Sequence, residues 1–260
     1  MKHKAVVTIK MGLSRITIGK HRPDGSLSDI LVFKTPPQGS VRSFQETFGR
    51  FPDRWGAIDA AVVVNVVPDI DPSHFSSLSL STAQMKILVP KSSEWPVAID
   101  YTPPGSLGVD RVAACLGARW RFQTGERFIV VADFGTHTVL TFFRSGQVLG
   151  GALFPGICLQ LSSVGAGRAL SSFPLGRPYR VIGRNTLEGV LSGTVFGTVK
   201  AVEGLTEEME RLTGTGIDLI LTGGLSRFVQ PYFRRPVRAN RQLVHFGAWA
   251  FLMDNPLKEM

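Results

Sequence analysis

The sequence predicts an α/β protein made of two similar domains with a cleft between them. First, 260 residues, 43% apolar and only 19% charged, are enough for two cores and too apolar for a disordered chain. Second, short apolar runs alternate with segments of helical spacing. Third, a strand followed by a small-residue turn and further strands occurs twice, as VVTI with MGLS and as FIVVA with DFGT.

Local patterns place most strands in the first half of the chain. Apolar runs bounded by turn residues predict strands over residues 4–9, 15–19, 30–33, 58–67, 85–89 and 97–101. A capping-box pattern predicts a helix over 43–50, and a short helix is expected near 71–78. Apolar residues at helical spacing predict a further helix over 108–120.

The second half begins with an apolar strand over 128–132, and a second strand is predicted over 138–143. Another buried strand is expected over 218–222, ended by Gly223 and Gly224. Helices are predicted over 157–170, 186–203 and 243–253. We therefore expect one domain over residues 1–122 and the other over 123–260.

Three glycines recur at four-residue spacing on the helix predicted over 186–203, namely Gly189, Gly193 and Gly197. Each glycine lowers helix stability by about 1 kcal/mol relative to alanine, so three of them on one side of a helix indicate a compensating role. A bare stripe lets another backbone approach closely. We expect tight packing there, either on the same domain, which we favour, or at a dimer interface.

The chain is basic, with 29 Lys and Arg against 20 Asp and Glu and a net charge of +9. A charge of this sign suits either nucleic acid or a small anionic ligand. The arginines near the C-terminus lie outside any RNA-binding, zinc or helix-turn-helix pattern: Arg234, Arg235, Arg238 and Arg241. We interpret them as a solvated face and expect no nucleic-acid partner.

Cys115 and Cys158 lie in apolar stretches without metal-ligand spacing, which is typical of reduced thiols. No apolar run reaches the roughly 18 residues that a membrane span needs. Lys10 and Arg15 interrupt the N-terminal segment, which argues against a signal peptide. We expect a cytoplasmic protein without a membrane partner.

The hexapeptide DFGTHT at 133–138 follows one predicted strand and enters the next. Its aspartate can bind a cation or the cation's water shell, its glycine lets a phosphate approach the backbone, and its threonines can donate to phosphate oxygens. An ordinary polar hairpin is the alternative. His137 is interpreted as a turn or pocket-edge residue, because no partner metal ligand is evident.

The segment LGVDR at 107–111 lies just before a predicted helix. Asp110 could accept a proton from a hydroxyl nucleophile, and Arg111 could hold a substrate carboxylate through two hydrogen bonds. The alternative is a helix-capping aspartate beside a solvated arginine.

Taken in order, these segments resemble the type III pantothenate kinases. The matching stretches are VVP at 66–68, Tyr101, LGVDR at 107–111, DFGTHT at 133–138, GGALFPGI at 150–157, GRNTLEGVLSG at 183–193 and TGG at 222–224. The resemblance implies two ribonuclease-H-like domains of the acetate and sugar kinase/Hsp70/actin-like superfamily, with ATP in the cleft. It implies phosphorylation of the terminal hydroxyl of pantothenate, the first step of coenzyme A synthesis. It also implies a homodimer that uses Mg²⁺ and a monovalent cation, K⁺ or NH₄⁺.

The resemblance assigns a role to each matching position. Asp110 is expected to be the general base and Asp133 to hold the monovalent cation. The expected pantothenate contacts are Tyr101, Gly108, Val109, Arg111 and Thr186. The expected ATP contacts are Gly12, Ser14, Gly135, Thr136, His137, Thr138, Gly223 and Gly224.

The chain departs from the family at the first phosphate motif, which is an Asp-x-Gly-Asn-Thr turn. Here the aligned residues are KMGLS at 10–14, so Lys10 stands where the family has its metal-associated aspartate. Two hypotheses follow. The chain is either an active pantothenate kinase with altered nucleotide or metal handling, or a non-catalytic relative that acts as a ligand-binding or regulatory protein.

Overall fold

The computed structural model describes residues 5–35, 55, 58–67, 86–166 and 173–254. The helices predicted over 43–50 and near 71–78 lie outside these residues. The chain divides into two units, the first comprising residues 1–123 with 243–260 and the second residues 124–242. No helix within the described ranges is both long and apolar enough to span a membrane.

Strands and helices alternate as the sequence predicted, but the strands over 147–155 and 237–239 were not predicted, and the helix predicted over 186–203 extends to residue 213 with an interruption at 192–196. The strands are β1 (Val6–Met11), β2 (Arg15–His21), β3 (Leu27–Lys34), β4 (Ala60–Asn65), β5 (Lys86–Leu88), β6 (Ala98–Ile99), β7 (Ile129–Phe134), β8 (His137–Arg144), β9 (Gln147–Pro155), β10 (Asp218–Thr222) and β11 (Val237–Ala239). The α-helices are α1 (Val109–Phe122), α2 (Ile157–Ala166), α3 (Thr186–Leu191), α4 (Gly197–Thr213), α5 (Ser226–Val229) and α6 (Leu243–Asp254). A π-helical turn, Ser192–Phe196, joins α3 to α4. Short 3₁₀ turns lie at Ser92–Glu94, Pro104–Ser106 and Gln230–Tyr232.

The sheet of the first unit has the strand order β3-β2-β1-β4-β5. β1 runs antiparallel to β2 and parallel to β4. One face is apolar, because alternate β1 residues such as Val7, Ile9 and Met11 are buried in a single cluster. The opposite face carries Thr8 and Lys10, so the two faces differ in chemistry.

The strands of the second unit repeat this arrangement in the order β9-β8-β7-β10-β11. β7 runs antiparallel to β8 and parallel to β10, as β1 does to β2 and β4. Strand directions and order therefore match one to one between the units. The internal duplication predicted from VVTI/MGLS and FIVVA/DFGT is confirmed at the level of topology.

The C-terminal helix belongs to the first unit, which differs from the predicted division at residues 122 and 123. Every residue of α6 from Leu243 to Leu252 is buried, and the helix packs on α1. Two glycines allow the close approach. A Cβ on Gly117 would lie 1.9 Å from the Leu243 carbonyl oxygen, and one on Gly247 would lie 1.8 Å from that of Ala113. The sequence predicted the helix over 243–253, but the predicted division assigned it to the second unit.

The glycine stripe faces outward. Gly189, Gly193 and Gly197 are exposed, and a Cβ at each would meet no atom of the described chain within 4 Å. The favoured expectation, tight packing of this stripe on its own domain, is therefore wrong. The apolar side of the same segment does pack inward, through Leu191, Val195 and the residues of α4 in the second core.

Candidate active site

The DFGTHT segment forms a two-residue hairpin between β7 and β8. The amide of Gly135 donates to the carbonyl of His137 (3.1 Å), and the amide of Gly156 donates to the carbonyl of Thr136 (3.0 Å). A Cβ on Gly156 would lie 2.4 Å from the Gly135 carbonyl oxygen, so only glycine fits there. The shape of this turn thus depends on Gly156, which follows β9 in the chain. The two segments together form a tight backbone surface.

The carboxylate of Asp133 lies between two glycines. A Cβ on Gly223 would approach its Oδ1 to 2.1 Å, and a Cβ on Gly135 would lie 3.6 Å from the same atom. Gly223 has φ +89°, a left-handed conformation that side chains rarely adopt, and the amide of Leu225 donates to the Phe134 carbonyl (3.0 Å). The structure therefore brings Asp133, Gly135 and the Gly223-Gly224 turn together, while their roles towards phosphate and a cation stay a prediction.

Asp133 suits a hard cation chemically, because a half-buried carboxylate beside backbone carbonyls offers the oxygen ligands that such ions prefer. No group of three or more His, Cys, Asp or Glu that could hold a metal occurs in the part of the chain that the structure describes. A cation at Asp133 would thus take its other ligands from carbonyls, water or phosphate.

The remaining residues of the hexapeptide differ in exposure. Thr136 is half-buried and His137 is exposed, so both can be reached by a ligand. Thr138 is only 1% exposed, shares a strand face with the core residue Leu140, and its hydroxyl has no hydrogen-bond partner among the described residues. This orientation argues against the predicted contact between the Thr138 hydroxyl and a phosphate.

The corresponding hairpin of the first unit is held by hydrogen bonds to Thr35, the residue that follows β3. The amide of Gly12 donates to the Arg15 carbonyl (3.0 Å), and the Thr35 hydroxyl donates to the Gly12 carbonyl (2.5 Å). The amide of Thr35 also donates to the carbonyl of Ser14 (3.2 Å). Leu13, at the tip, is 52% exposed. Thr35 is a supporting residue that the sequence analysis missed, because it lies outside the motif it stabilises.

The duplicated topology gives Lys10 and Asp133 the same place in their sheets. Each is the penultimate residue of the central strand, and β1 and β7 have the same order of buried and half-buried residues. Each also faces a residue on the next antiparallel strand, Thr17 for Lys10 and Val139 for Asp133. Equivalent positions of the two hairpins therefore carry opposite charges.

A buried chain of hydrogen bonds lies on the Lys10 face of the first sheet. The Thr8 hydroxyl is 2.9 Å from His21 Nε2 and 2.7 Å from His245 Nδ1, and the Thr17 hydroxyl is 2.8 Å from His245 Nε2. His21 Nδ1 is 3.0 Å from the carbonyl oxygen of Gly25. Both imidazoles are only 3% exposed. This hydrogen-bond network was not predicted from the sequence, where a histidine within an apolar helix was its only signal.

Burial sets the charge state of both imidazoles. Desolvation lowers the pKa of His21 from 6.5 to about 4, against the opposing effect of the Gly25 carbonyl. Desolvation, followed by the charges of His21 and Lys10, lowers the pKa of His245 from 6.5 to about 3. Both rings are therefore neutral at neutral pH.

The predicted substrate residues cluster at the start of α1. Asp110 lies in the first helical turn, where the helix dipole favours a carboxylate, and a Cβ on Gly108 would lie 2.8 Å from its Oδ1. The guanidinium carbon of Arg111 lies 5.4 Å from the centre of the Tyr101 ring, a cation–π contact. Val109 is the first residue of the helix and is buried, so its side chain supports the turn.

Thr186 lies apart from this cluster in the chain, at the first position of α3. The side chain of Asn185 caps that helix by accepting a hydrogen bond from the Glu188 amide (2.9 Å). Thr186 itself is exposed, on the same segment as the outward-facing glycine stripe.

A family model described as type III pantothenate kinase matches residues 6–208. This chain belongs to the type III pantothenate kinase family. A relative with that name from Acidiphilium cryptum is 31% identical over 204 residues, which cover 77% of this chain and 75% of the relative. The family prediction made from the collinear motifs is confirmed.

Solved structures of two nucleotide-bound proteins share the fold of this chain. MreB5 of Spiroplasma citri bound to ADP has a TM-score of 0.53 at 11% identity, with 100% of both chains covered. The activator of 2-hydroxyisocaproyl-CoA dehydratase from Clostridium difficile with bound ADPNP has a TM-score of 0.53 at 10% identity, covering 98% of this chain and 99% of that one. The predicted two-domain ATPase fold is confirmed.

Proposed function

We propose that this member of the family transfers the γ-phosphate of ATP to the terminal hydroxyl of pantothenate and forms 4′-phosphopantothenate. The observation that carries the proposal is the start of α1. There the carboxylate of Asp110 lies close to Gly108 at the helix N-terminus, and the guanidinium of Arg111 packs on the ring of Tyr101. An acid and an arginine held this way offer a proton acceptor and a carboxylate-binding group, the two functions that pantothenate requires.

The reaction follows from these groups. Arg111 pairs with the pantothenate carboxylate, while the Tyr101 ring limits where the guanidinium can turn. Asp110 accepts the proton of the terminal hydroxyl as its oxygen attacks the γ-phosphorus. The bond from that phosphorus to the bridging oxygen breaks, and ADP leaves with the electron pair. Positioning and charge neutralisation supply most of the rate enhancement in reactions of this kind.

The second hairpin is assigned to ATP and its cation. Gly135 and the Gly223-Gly224 turn have no side chains that would block a phosphate, and both glycine segments lie beside Asp133. Thr136, next to Gly135 in the hairpin, would add a hydroxyl donor. Asp133 would hold the monovalent cation, K⁺ or NH₄⁺, which would supply positive charge beside the phosphates. Mg²⁺ would enter with ATP, held mainly by phosphate oxygens and water.

We further propose a homodimer that uses the glycine stripe running from α3 through the π-helical turn into α4. The stripe is bare and outward-facing, and the segment before it exposes Val181 (65%) and Ile182 (81%). Exposed apolar residues beside a surface that permits close backbone approach are typical of a self-association face. The variant Gly193→Leu should convert the dimer to a monomer in light scattering. A monomeric wild-type protein, or an unchanged dimer in the variant, would contradict this face.

The basic C-terminal cluster does not support a nucleic-acid function. Arg235 makes two hydrogen bonds to the Glu210 carboxylate (2.7 and 3.1 Å), and Arg238 pairs with Asp218 at 3.3 Å. Guanidinium groups held by acids of the same chain leave less positive charge for phosphates.

The test is a coupled assay of ADP release with ATP, Mg²⁺, K⁺ and pantothenate. We expect pantothenate-dependent turnover that Asp110→Asn lowers about a hundredfold or more in kcat, as loss of a general base does. Arg111→Lys should mainly raise the KM for pantothenate. Arg119→Lys, on the exposed side of the same helix, serves as the matched control. Folded wild-type protein without turnover would refute the proposal.

A further inference from the structure

A short turn over residues 91–97 contacts the segment that leads into α1. The amide of Lys91 donates to the Glu94 carboxylate (2.6 Å), and the amide of Glu94 donates to the Lys91 carbonyl (3.0 Å). The amide of Val97 donates to the Trp95 carbonyl (2.7 Å). These hydrogen bonds are made within the turn itself, so they fix its backbone locally.

The 91–97 turn is anchored in the first unit through an aromatic contact. Trp95 is 3% exposed, and the centre of its ring lies 4.8 Å from that of Phe251 on α6. The helix α1 packs on α6 as well. Because the turn and α1 pack on the same helix, the close packing of the unit limits how far they can move apart.

One hydrogen bond joins the 91–97 turn to the start of α1. The Ser92 hydroxyl donates to the carbonyl of Leu107 (2.5 Å), and the two residues are 7% and 2% exposed. Leu107 precedes Gly108, the N-cap of α1. A carbonyl before the N-cap lies outside the hydrogen bonds of the helix, so a buried one needs a partner from elsewhere in the chain. Ser92 is that partner.

This hydrogen bond controls the backbone beneath the proposed proton acceptor. The Leu107 carbonyl and the Gly108 amide belong to one planar peptide group, so holding the carbonyl also orients Gly108. A Cβ on Gly108 would lie 2.8 Å from Asp110 Oδ1, and the Arg111 amide donates to the Gly108 carbonyl (3.0 Å). The position of Gly108 is therefore passed on directly to Asp110 and Arg111.

We propose that Ser92 is a positioning residue for phosphoryl transfer. It acts through the Leu107-Gly108 peptide and holds the Asp110 carboxylate where it can accept the proton of the pantothenate hydroxyl. This inference rests on the proposed kinase function. A misplacement of about 1 Å can lower a reaction rate about a hundredfold. Loss of the Ser92 hydroxyl should therefore lower kcat, while the KM for ATP, whose expected contacts lie in other segments, should stay unchanged.

Steady-state kinetics of pantothenate-dependent ADP release by the full-length protein test the inference. Ser92→Ala should lower kcat about tenfold, a partial loss of alignment, without changing the KM for ATP. Ser92→Thr keeps the hydroxyl and should recover most of this loss. Ser28→Ala is the matched control, because the hydroxyl of this exposed serine on β3 also donates to a main-chain carbonyl, that of Lys20 (3.1 Å). Its kcat should equal that of the wild type.

A double variant distinguishes positioning from a loss of stability. If Ser92 acts through Asp110, adding Ser92→Ala to Asp110→Asn should change kcat by less than about twofold, because the group that Ser92 positions is already lost. A purely structural role would lower the folded fraction in urea unfolding and would reduce activity by the same factor in both backgrounds. Equal factors in the two backgrounds would contradict the proposal.

The outcomes separate this inference from the proposed function. Wild-type turnover together with an unchanged kcat in Ser92→Ala would refute the role of Ser92 and leave the kinase function standing. Folded wild-type protein without turnover would overturn both. If Ser92→Ala does not fold, Ser92→Cys takes its place, because a thiol has a similar shape and is a weaker donor. A wild-type kcat in that variant would likewise refute the role of Ser92.

Discussion

Acid should destabilise this protein through two buried histidines of the first unit. His21 and His245 are held neutral by burial, with pKa values lowered from 6.5 to about 4 and about 3. Because the pKa values are lower in the folded protein, the two imidazoles become protonated at a higher pH in the unfolded chain than in the folded one. Stability from these groups is therefore complete above about pH 6.5 and is lost progressively as the pH falls towards the folded-state values.

The size of the effect follows from the shift. Each pH unit below the unfolded pKa costs about 1.4 kcal/mol for a group that stays neutral in the folded state. At pH 5, about 1.5 units below that value, each imidazole removes about 2 kcal/mol of unfolding free energy. The two together remove about 4 kcal/mol between pH 8 and pH 5, which is a large part of the stability of a typical domain.

The assay is urea denaturation monitored by tryptophan fluorescence, since Trp249 stacks on His21 and Trp120 packs on Trp249. His21→Asn and His245→Asn each remove one of the two titrating imidazoles, while the asparagine amide keeps a donor near the position of Nδ1. Each variant should therefore lose about half as much unfolding free energy on acidification as the wild type does. His137→Asn removes an exposed imidazole and should leave the pH dependence unchanged. A wild-type loss below about 1 kcal/mol, or equal losses in all variants, would refute the reasoning.

Two further predictions concern glycines. Gly247→Ala should destabilise the protein by several kcal/mol in thermal or urea unfolding, because its Cβ would lie 1.8 Å from the Ala113 carbonyl oxygen. Gly204→Ala, whose Cβ would lie in open space on α4, should stabilise the protein by up to about 1 kcal/mol. Gly223→Ala would force a side chain against Asp133 at φ +89° and should raise the K⁺ concentration needed for half-maximal activity. Equal stability of the two helix variants, or unchanged K⁺ activation, would contradict these expectations.

Most strands were predictable because their information is local, whereas β9 and β11 were not predicted. Apolar runs and small-residue turns predict strand positions directly, and their recurrence predicted the duplicated topology that β1 and β7 confirm. The position of α6 was not predictable in this way. A helix apolar on all sides specifies burial but not a partner, and the partner is decided by the backbone contacts at Gly117 and Gly247.

The candidate site was predictable to the extent that its motifs are contiguous. DFGTHT and LGVDR each supplied residues that the structure places together within one turn. Orientation was a separate matter: strand alternation turns the Thr138 side chain towards the core, although its neighbours remain accessible. The Thr8, His21 and His245 chain escaped prediction because its members come from two strands and the C-terminal helix, and no local pattern joins them.

The duplicated fold changes how the Lys10 substitution is weighed. Within the motif alone, a lysine in place of the aspartate removes a group that can bind a metal. It also changes the charge by two units, and two unit charges ~4 Å apart interact with about 4 kcal/mol at an effective dielectric near 20. Compared with the second hairpin, Lys10 stands at the position of Asp133, on a strand with the same order of buried and half-buried residues. The turn between β1 and β2 keeps its backbone hydrogen bonds through Gly12 and Thr35. The departure from the family pattern is therefore a change of charge on a retained backbone, because neither the strand nor its turn is lost with the aspartate.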